Sequence, residues 1–345
     1  MSCTLCSIPG YGTDVMQVHE LLPALSVRNL TLALSTKKSL LYPVRDLSLD
    51  VQPGSLHAII GESGSGKSLT CRAIMRLGPH AMTIRSGSIH VGDTDVSTLH
   101  GHELSEFRGS RVGMVFQDPA PHFNPAKRVG NHLIRTLERR LNLSAEEARS
   151  RFTELLERVG LSGRDDLLQK YPHELSGGMA QRLAIAAAIA AAPPLLIADE
   201  PTTALDVTVQ KSVLELIDEL RRGMGLAVLF VSHDLALVER YADDITVLYA
   251  GTAAEQNASN RLFVAPRHPY TQALLRSRPR PDAPVPPSIP GVPPRLERLP
   301  SGCPFHPRCP AAIDLCRSDR PGPTSWPDGG QSRCHVAARN ASVTE

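Results

Sequence analysis

The chain has 345 residues, of which 41% are hydrophobic and 21% charged, as is ordinary for a globular protein with a sizeable core. Its net charge of +2 is almost balanced, so the composition gives no reason to expect a nucleic-acid partner. The first residues lack a basic segment followed by an apolar run, so we expect no signal peptide. The most apolar stretch, 183–198, is too short and too broken by proline to cross a bilayer.

The first quarter of the chain divides into an irregular arm and an antiparallel β region. Residues 1–23 lack any periodicity and predict a loose arm, and we interpret the Cys3 and Cys6 pair within it as incidental because no second pair lies nearby. Residues 25–51 contain short alternating strands separated by turn residues. This pattern predicts antiparallel pairing.

A phosphate-binding loop follows, because residues 61–68 fit the pattern G-x-x-x-x-G-K-[ST] without a mismatch. The apolar run at 56–60 predicts a buried strand before the loop, and 69–77 predicts a helix after it. Backbone N–H groups of such a loop point at phosphate oxygens, its lysine reaches the β- and γ-phosphates, and its serine hydroxyl can bind Mg²⁺. The alternative is a glycine-rich turn with a chance lysine. The predicted nucleotide-binding residues here are Gly61, Ser63, Gly64, Ser65, Gly66, Lys67, Ser68 and Leu69.

The middle of the chain alternates between predicted strands and helices. That alternation predicts an α/β fold with a mostly parallel, helix-covered sheet, into which a helical insert is placed at about 119–185. The predicted elements are strands at 86–91 (an edge strand), 112–116, 195–198 and 227–231, and helices at 129–141, 145–159 and 207–222.

Two further features of this region suggest phosphate chemistry. Asp199 and Glu200 end a strand, where one carboxylate can hold Mg²⁺ and the other can polarise an attacking water; the alternative is a pair of solvated acids. Ser176, Gly177 and Gly178 stand directly before a helix and form a second anion-binding helix start, or else a plain helix cap. A second such start in one chain indicates a site shared between two chains.

Taken together, these motifs resemble the ATP-binding subunits of ABC transporters across residues 25–250. The resemblance adds a Q-loop at 116–119, a D-loop at 204–206 and a switch histidine, His233. It implies a P-loop NTPase (RecA-like) core at 24–265 and a head-to-tail dimer. Each ATP would then lie between the phosphate loop of one chain and the Ser176 helix start of the other.

The resemblance also implies a role for individual residues. Catalytic roles fall to Lys67, Gln117, Glu200 and His233, and Mg²⁺ ligation to Ser68, Gln117 and Asp199. Asp206 of the D-loop joins the nucleotide-binding set. Tyr42 is the candidate for stacking on adenine, and its alternative is packing on the β region.

Residues 268–275 and 289–294 resemble the peptide-importer branch of that family. This branch implies ATP-driven uptake of dipeptides or oligopeptides, with nickel or a metal chelate as the alternative cargo. It implies two transmembrane permease subunits, a second ATPase subunit in a heterodimer, and a solute-binding protein reached through the permeases. We therefore expect a peripheral position on the cytoplasmic face of the inner membrane. A soluble ABC-type ATPase would carry a long coiled-coil insertion or two ATPase cores, and this chain has neither.

The C-terminal part divides into a proline-rich linker at 266–299 and a cysteine-rich region at 300–345. Cys303, Cys309, Cys316 and Cys334 have the spacing C-x5-C-x6-C-x17-C, and without a secretory signal such a group favours metal over disulfides. Four thiolates suit Zn²⁺ or a [4Fe–4S] cluster. The family resemblance favours the cluster in a structural role. The alternatives for these cysteines are Zn²⁺ and then free or disulfide-bonded thiols, and the alternative role for the region is an electron-transfer module.

Overall fold

The computed structural model describes residues 22–203, 205–278 and 287–341. Almost all of the predicted arm at 1–23, including Cys3 and Cys6, lies outside the described residues, as do Ala204 and 279–286. None of the helices in the described ranges combines the length and the apolar character that crossing a bilayer requires.

Strands and helices alternate through most of the described chain. The strands are β1 Leu25–Ser35, β2 Leu40–Val51, β3 Leu56–Ile60, β4 Met82–Val91, β5 Thr94–Asp95, β6 Val112–Val115, β7 Leu195–Asp199, β8 Ala227–Val231, β9 Asp244–Tyr249, β10 Thr252–Ala258, β11 Thr324–Ser325 and β12 Gln331–Ser332. The helices are α1 Lys67–Ile74, α2 Gly101–Ser110, α3 Val129–Leu141, α4 Ala145–Arg158, α5 Gly177–Ile189, α6 Val207–Met224, α7 Leu235–Tyr241, α8 Ser259–Leu262, α9 Pro269–Arg276, α10 Leu315–Ser318 and α11 His335–Ala341.

The central sheet contains, within the described ranges, eight strands in the order β11-β12-β10-β9-β3-β8-β7-β6. Neighbours from β9 to β6 pair in parallel, which confirms the mostly parallel sheet predicted from the sequence. The apolar residues of β3, β7 and β8 divide between two hydrophobic clusters, one on each face, so these strands are mostly apolar, with His57 and Asp199 as the polar exceptions. Because the strands are parallel, their carboxyl ends meet at one edge, and the loops that follow them are brought together there.

A second, antiparallel sheet of four strands in the described chain has the order β2-β1-β4-β5 and covers one face of the central sheet. It confirms the antiparallel β region at 25–51. The prediction of an edge strand at 86–91 is wrong, because β4 begins at Met82 and lies between β1 and β5. The chain turns back at Gly92, and β5 pairs with the end of β4. Because β5 has only two residues, the sequence shows no hydrophobic alternation there that would predict it.

The helical insert contains α3 and α4 at the predicted places. Helix α4 begins with a capping box, in which Ser144 and Glu147 each accept the other's backbone N–H, and its predicted apolar face is buried. The insert boundary at 185 does not coincide with an element boundary. Helix α5 runs unbroken from Gly177 to Ile189, and the buried side chains of Ile185 and Ile189, four residues apart on one face, continue across that boundary.

The C-terminal region is packed into the ATP-binding core. The predicted linker at 266–299 begins with helix α9, whose Tyr270 is fully buried, so its first third is part of the core. Phe305 packs against Tyr249 and Tyr270 with ring centroids 5.1 and 5.3 Å apart, and Cys303 joins the same hydrophobic cluster. Strands β11 and β12 extend the central sheet through β10.

Two buried histidines make the fold sensitive to acid. His57 is 6% exposed, with Nε2 2.8 Å from the Thr246 hydroxyl, and His268 is 3% exposed, with Nδ1 accepting the Tyr270 N–H. Burial lowers the pKa of each to about 4 from the usual 6.5. The unfolded chain therefore binds more protons between pH 6.5 and 4, and stability falls as the pH decreases through that window.

We predict that lowering the pH from 7 to 5 removes about 2 kcal/mol of unfolding free energy for each of these two histidines. His57→Gln keeps a partner for Thr246 and should remove about half of this pH dependence in urea unfolding. His100→Gln, at an exposed position, is the matched control and should leave it unchanged. Equal pH dependence in all three proteins would contradict the assignment.

Candidate functional site

The phosphate-binding loop is held in a shape that only glycine permits at two positions. Gly61 has φ +149°, and a Cβ there would lie 2.2 Å from the Leu248 carbonyl oxygen on β9. Gly66 has φ +107°, and a Cβ there would lie 2.6 Å from the Pro43 carbonyl oxygen on β2. The loop therefore packs tightly between β9 and β2 and leads directly into the N-terminus of α1.

Lys67 and Ser65 make the interior of the loop receptive to an anion. Lys67 is buried, and its Nζ donates to the carbonyl oxygens of Gly61 and Glu62 at 2.8 and 3.1 Å. Burial lowers its pKa, against the opposing effect of Glu200 and Asp199. Within the described residues the buried Ser65 hydroxyl has no hydrogen-bond partner. A bound phosphate would supply the missing partner for Ser65 and would offset the cost of burying the Lys67 ammonium.

Asp199 at the end of β7 reaches the loop from the neighbouring part of the sheet. Its Oδ1 accepts a hydrogen bond of 2.9 Å from the Ser68 hydroxyl. Burial raises the pKa of Asp199, and the neighbouring Glu200 raises it further. A carboxylate and a hydroxyl in contact are oxygen ligands of the kind Mg²⁺ prefers, and a cation here would offset the cost of burying the carboxylate.

Glu200 and His233 stand next to each other at the same edge. Glu200 adopts φ +47°, a strained backbone for a side chain of this kind, and its N–H donates to Val231 O of β8. Its Oε2 lies 3.4 Å from His233 Nδ1 and accepts from the Thr203 hydroxyl at 3.0 Å. The His233 side chain remains 60% exposed, so it is available to a ligand.

Gln117 and Tyr42 flank this edge without side-chain contact to the loop. Gln117 is exposed two residues beyond β6 and makes no side-chain hydrogen bond within the described chain. Tyr42 on β2 is 36% exposed, and the next residue, Pro43, contacts Gly66. Both positions are therefore open to a nucleotide, and their predicted roles stay predictions.

The Ser176 helix start begins at an exposed residue, and the Ser176 side chain hydrogen-bonds only within its own helix in the described chain. Ser176 caps α5 by accepting the Met179 N–H at 3.3 Å, its one side-chain hydrogen bond in the part of the chain described. Gly178 packs against the start of α6, where a Cβ would lie 2.9 Å from Val209 Cγ1. Asp206 caps α6 by accepting the N–H groups of Thr208 and Val209. The carboxylate of Asp206 thus serves its own helix here, while its predicted nucleotide contact stays a prediction.

Sequence reasoning missed the residues that attach the C-terminal region to the loop. Arg308 forms a bidentate ion pair with Glu62, and Tyr270 accepts the Glu62 N–H at 2.9 Å. A cavity of about 1000 Å³ opens beside the loop and is bounded on its other side by residues 293–298. The sequence carries no signal for these contacts, because Glu62 occupies a variable position of the loop motif and Arg308 lies 246 residues away.

The four tail cysteines lie in one corner of the C-terminal region as free thiols, three of them buried. Burial raises the pKa of the Cys303 thiol to about 11, with smaller contributions from the other three thiols, and it also raises the pKa of Cys309 and Cys334. Over the described residues no group of three or more His, Cys, Asp or Glu side chains has the arrangement of a metal site.

A glycine loop wedged between strands, a buried lysine and a carboxylate pair at the carboxyl edge of a parallel sheet define an ATPase of the P-loop class. Residues 44–203 match the family model for ABC transporters, and 254–316 match that for the oligopeptide/dipeptide transporter C-terminal region. The chain belongs to the ATP-binding subunits of ABC transporters, in the branch that carries this C-terminal region.

Relatives and solved structures agree with this membership. The chain is 40% identical over 321 residues to the dipeptide transport ATP-binding protein DppD of Bacillus subtilis, covering 92% of this chain and 96% of that one. It is 42% identical over 299 residues to the oligopeptide transport ATP-binding protein OppD of Escherichia coli, covering 86% and 88%. A dimeric structure of the ATP-binding cassette MJ0796, bound to ADP and Pi, matches with a TM-score of 0.61 at 27% identity over 68% of this chain and 98% of that one. The predicted P-loop NTPase fold is confirmed.

Proposed function

We propose that this chain hydrolyses ATP to drive the uptake of dipeptides or oligopeptides by an ABC importer. The observation that carries the proposal is the meeting of Lys67, the Ser68–Asp199 pair and Glu200 at one edge of the sheet. The matches to peptide-importer subunits over nearly their whole length support the choice of cargo.

Binding of ATP follows from the charges of the loop. The N–H groups at the start of α1 and the Lys67 ammonium attract the phosphates, while Ser65 offers a free hydroxyl. Ser68, Asp199 and Gln117 are the residues proposed to hold Mg²⁺, which when bound neutralises charge on the transferring phosphoryl group. Tyr42 is proposed to stack on the adenine from the exposed face of β2.

Glu200 and His233 are proposed to act on the hydrolytic step. Glu200 carries the carboxylate that accepts a proton from, or orients, the attacking water, and the Thr203 hydroxyl fixes its rotamer. His233, 3.4 Å from it and largely exposed, can donate to the γ-phosphate. The strained backbone of Glu200 supports a functional position, since such strain persists mainly at sites.

The completed site is proposed to need a second ATPase chain. The helix start at Ser176, Gly177 and Gly178 offers N–H groups to an ATP held by the partner; its first two residues are exposed and Gly178 is half-buried. Supporting this arrangement, the matching cassette MJ0796 was solved as a dimer. For this chain the partner is proposed to be a different ATPase subunit, docked with it on two permeases that receive cargo from a solute-binding protein. The working position is then peripheral, on the cytoplasmic face of the inner membrane.

We predict that Glu200→Gln lowers ATP turnover of the assembled transporter by about a thousandfold or more, while ATP affinity stays within a few-fold of wild type, because only the transition state loses an interaction. Steady-state hydrolysis and equilibrium nucleotide binding measure the two quantities. Glu219→Gln, exposed on α6, is the control. If Glu200→Gln hydrolyses ATP at the wild-type rate, the general base for the attacking water is a different residue.

We also propose that Cys303, Cys309, Cys316 and Cys334 hold a [4Fe–4S] cluster, with Zn²⁺ as the alternative. The chemistry of the donors fits, because four free thiols share one corner and each can become a thiolate once a metal offsets the burial that now raises the pKa of three of them. Within the described residues these thiols do not have the arrangement of a metal site, so binding would have to draw them together. The group would cross-link a region whose short strands supply little core of their own.

We predict about four iron atoms and matching sulfide for each full-length chain purified without oxygen, with visible absorption that reduction bleaches. One zinc per chain and no visible absorption would favour the alternative. Cys309→Ser should lower metal content and the unfolding temperature, whereas Cys71→Ser, a buried cysteine of helix α1, should leave metal content unchanged. Metal-free, fully folded wild-type protein would overturn the proposal.

A further inference from the structure

Arg308 of the C-terminal region is directed at the phosphate-binding loop. Its Nη1 and Nη2 donate to the two carboxylate oxygens of Glu62 at 2.7 and 2.9 Å. The Arg308 side chain is 5% exposed and that of Glu62 is 24% exposed, so the pair is largely shielded from water. A planar, two-bond pairing of this kind fixes orientation as well as charge.

Two of the three remaining N–H groups of Arg308 are also engaged within the described residues. Nη1 donates to the Tyr249 hydroxyl at 3.2 Å, and Nε donates to the Pro290 carbonyl at 2.8 Å. Pro290 precedes residues 293–298, which bound the cavity beside the loop. One guanidinium thus joins three segments: the loop, the end of β9 and the chain that forms the far wall of the cavity.

Glu62 is fixed through its main chain as well. Its N–H donates to the Tyr270 hydroxyl at 2.9 Å, and its carbonyl accepts from Lys67 Nζ at 3.1 Å. A shift of Glu62 would therefore move an acceptor that holds the lysine, and with it the position of the ammonium relative to a bound phosphate. The contacts run without a gap from Arg308 through Glu62 to Lys67.

We infer that Arg308 is a positioning residue for ATP binding: through Glu62 it fixes the phosphate-binding loop and the lysine within it. The inference rests on the proposed function, in which ATP occupies this loop. Arg308 acts through another residue and is assigned no contact with the nucleotide. The C-terminal region is by this route a structural part of the nucleotide site.

A purely structural role is the rival explanation. Buried ion pairs contribute little net stability compared with well-packed apolar side chains, so the need to anchor the tail does not account for this geometry. The tail has a second anchor in Arg333, which pairs with Asp46 on β2 at 2.7 Å and, in the part of the chain described, makes no side-chain hydrogen bond to the phosphate-binding loop. Arg333 is therefore a matched control, since it attaches the same region to the same core.

The test compares Arg308→Met with Arg333→Met in the full-length chain of the assembled transporter. We expect Arg308→Met to raise the KM for ATP about tenfold, with kcat changed less than about threefold. A displaced phosphate-binding loop weakens the binding of ATP and of the transition state by similar amounts. Arg333→Met should lower the unfolding temperature while leaving the KM unchanged. An unchanged KM in Arg308→Met, or equal KM changes in the two variants, would overturn the inference.

A double-mutant cycle keeps the inference testable if Arg308→Met folds poorly. Glu62→Gln keeps an acceptor oxygen and a similar volume, and we expect it to raise the KM in the same direction. Combined with Arg308→Lys, which cannot form the bidentate pair, it should raise the KM no further than the larger single effect. If the KM increase of the double variant equals the product of the two single increases, Arg308 and Glu62 act independently and the inference is contradicted. If the wild-type complex itself does not hydrolyse ATP, the proposed function is refuted instead.

Discussion

The two hydrogen bonds from Lys67 to the carbonyl groups of Gly61 and Glu62 close the phosphate-binding loop on itself. They place a buried cation inside a ring of backbone N–H groups, and burial makes that cation costly until an anion arrives. The loop can hold this shape because Gly61 and Gly66 carry no Cβ, which would collide with β9 at Gly61 and with β2 at Gly66. The chemistry of the site depends on this one local arrangement, and the surrounding sheet brings Asp199 and Glu200 to it.

The C-terminal region contributes to the same arrangement from the opposite side. Tyr270 and Arg308 hold Glu62, and Phe305 packs against both Tyr249 at the end of β9 and Tyr270 of α9. A C-terminal region that folded separately would make few contacts with the ATP-binding core. Here one hydrophobic cluster includes residues of both the core and the C-terminal region. The tail is therefore coupled to the nucleotide site through packing and charge, and its thiol corner lies within the same unit.

What could be predicted from the sequence was local. The loop motif, the strand before it and the helices predicted at 129–141 and 145–159 follow from spacing and periodicity within short windows. The structure confirms them, with the second helix ending one residue earlier, at Arg158. The order of β4 in its sheet and the pairing of the two-residue β11 and β12 depend on partners distant in sequence. The ion pair of Glu62 with Arg308 spans 246 residues and has no periodic signature, so only the folded chain reveals it.

The central claim is that ATP held by one chain is completed by the Ser176 helix start of its neighbour. The most direct measurement is ATP-driven closure and turnover of the assembled transporter carrying Ser176→Arg, a bulky cation at an exposed helix start that leaves this chain's own phosphate loop intact. The account predicts that this chain still binds ATP while closure fails and turnover falls. Closure and turnover equal to those of the wild-type transporter would contradict it.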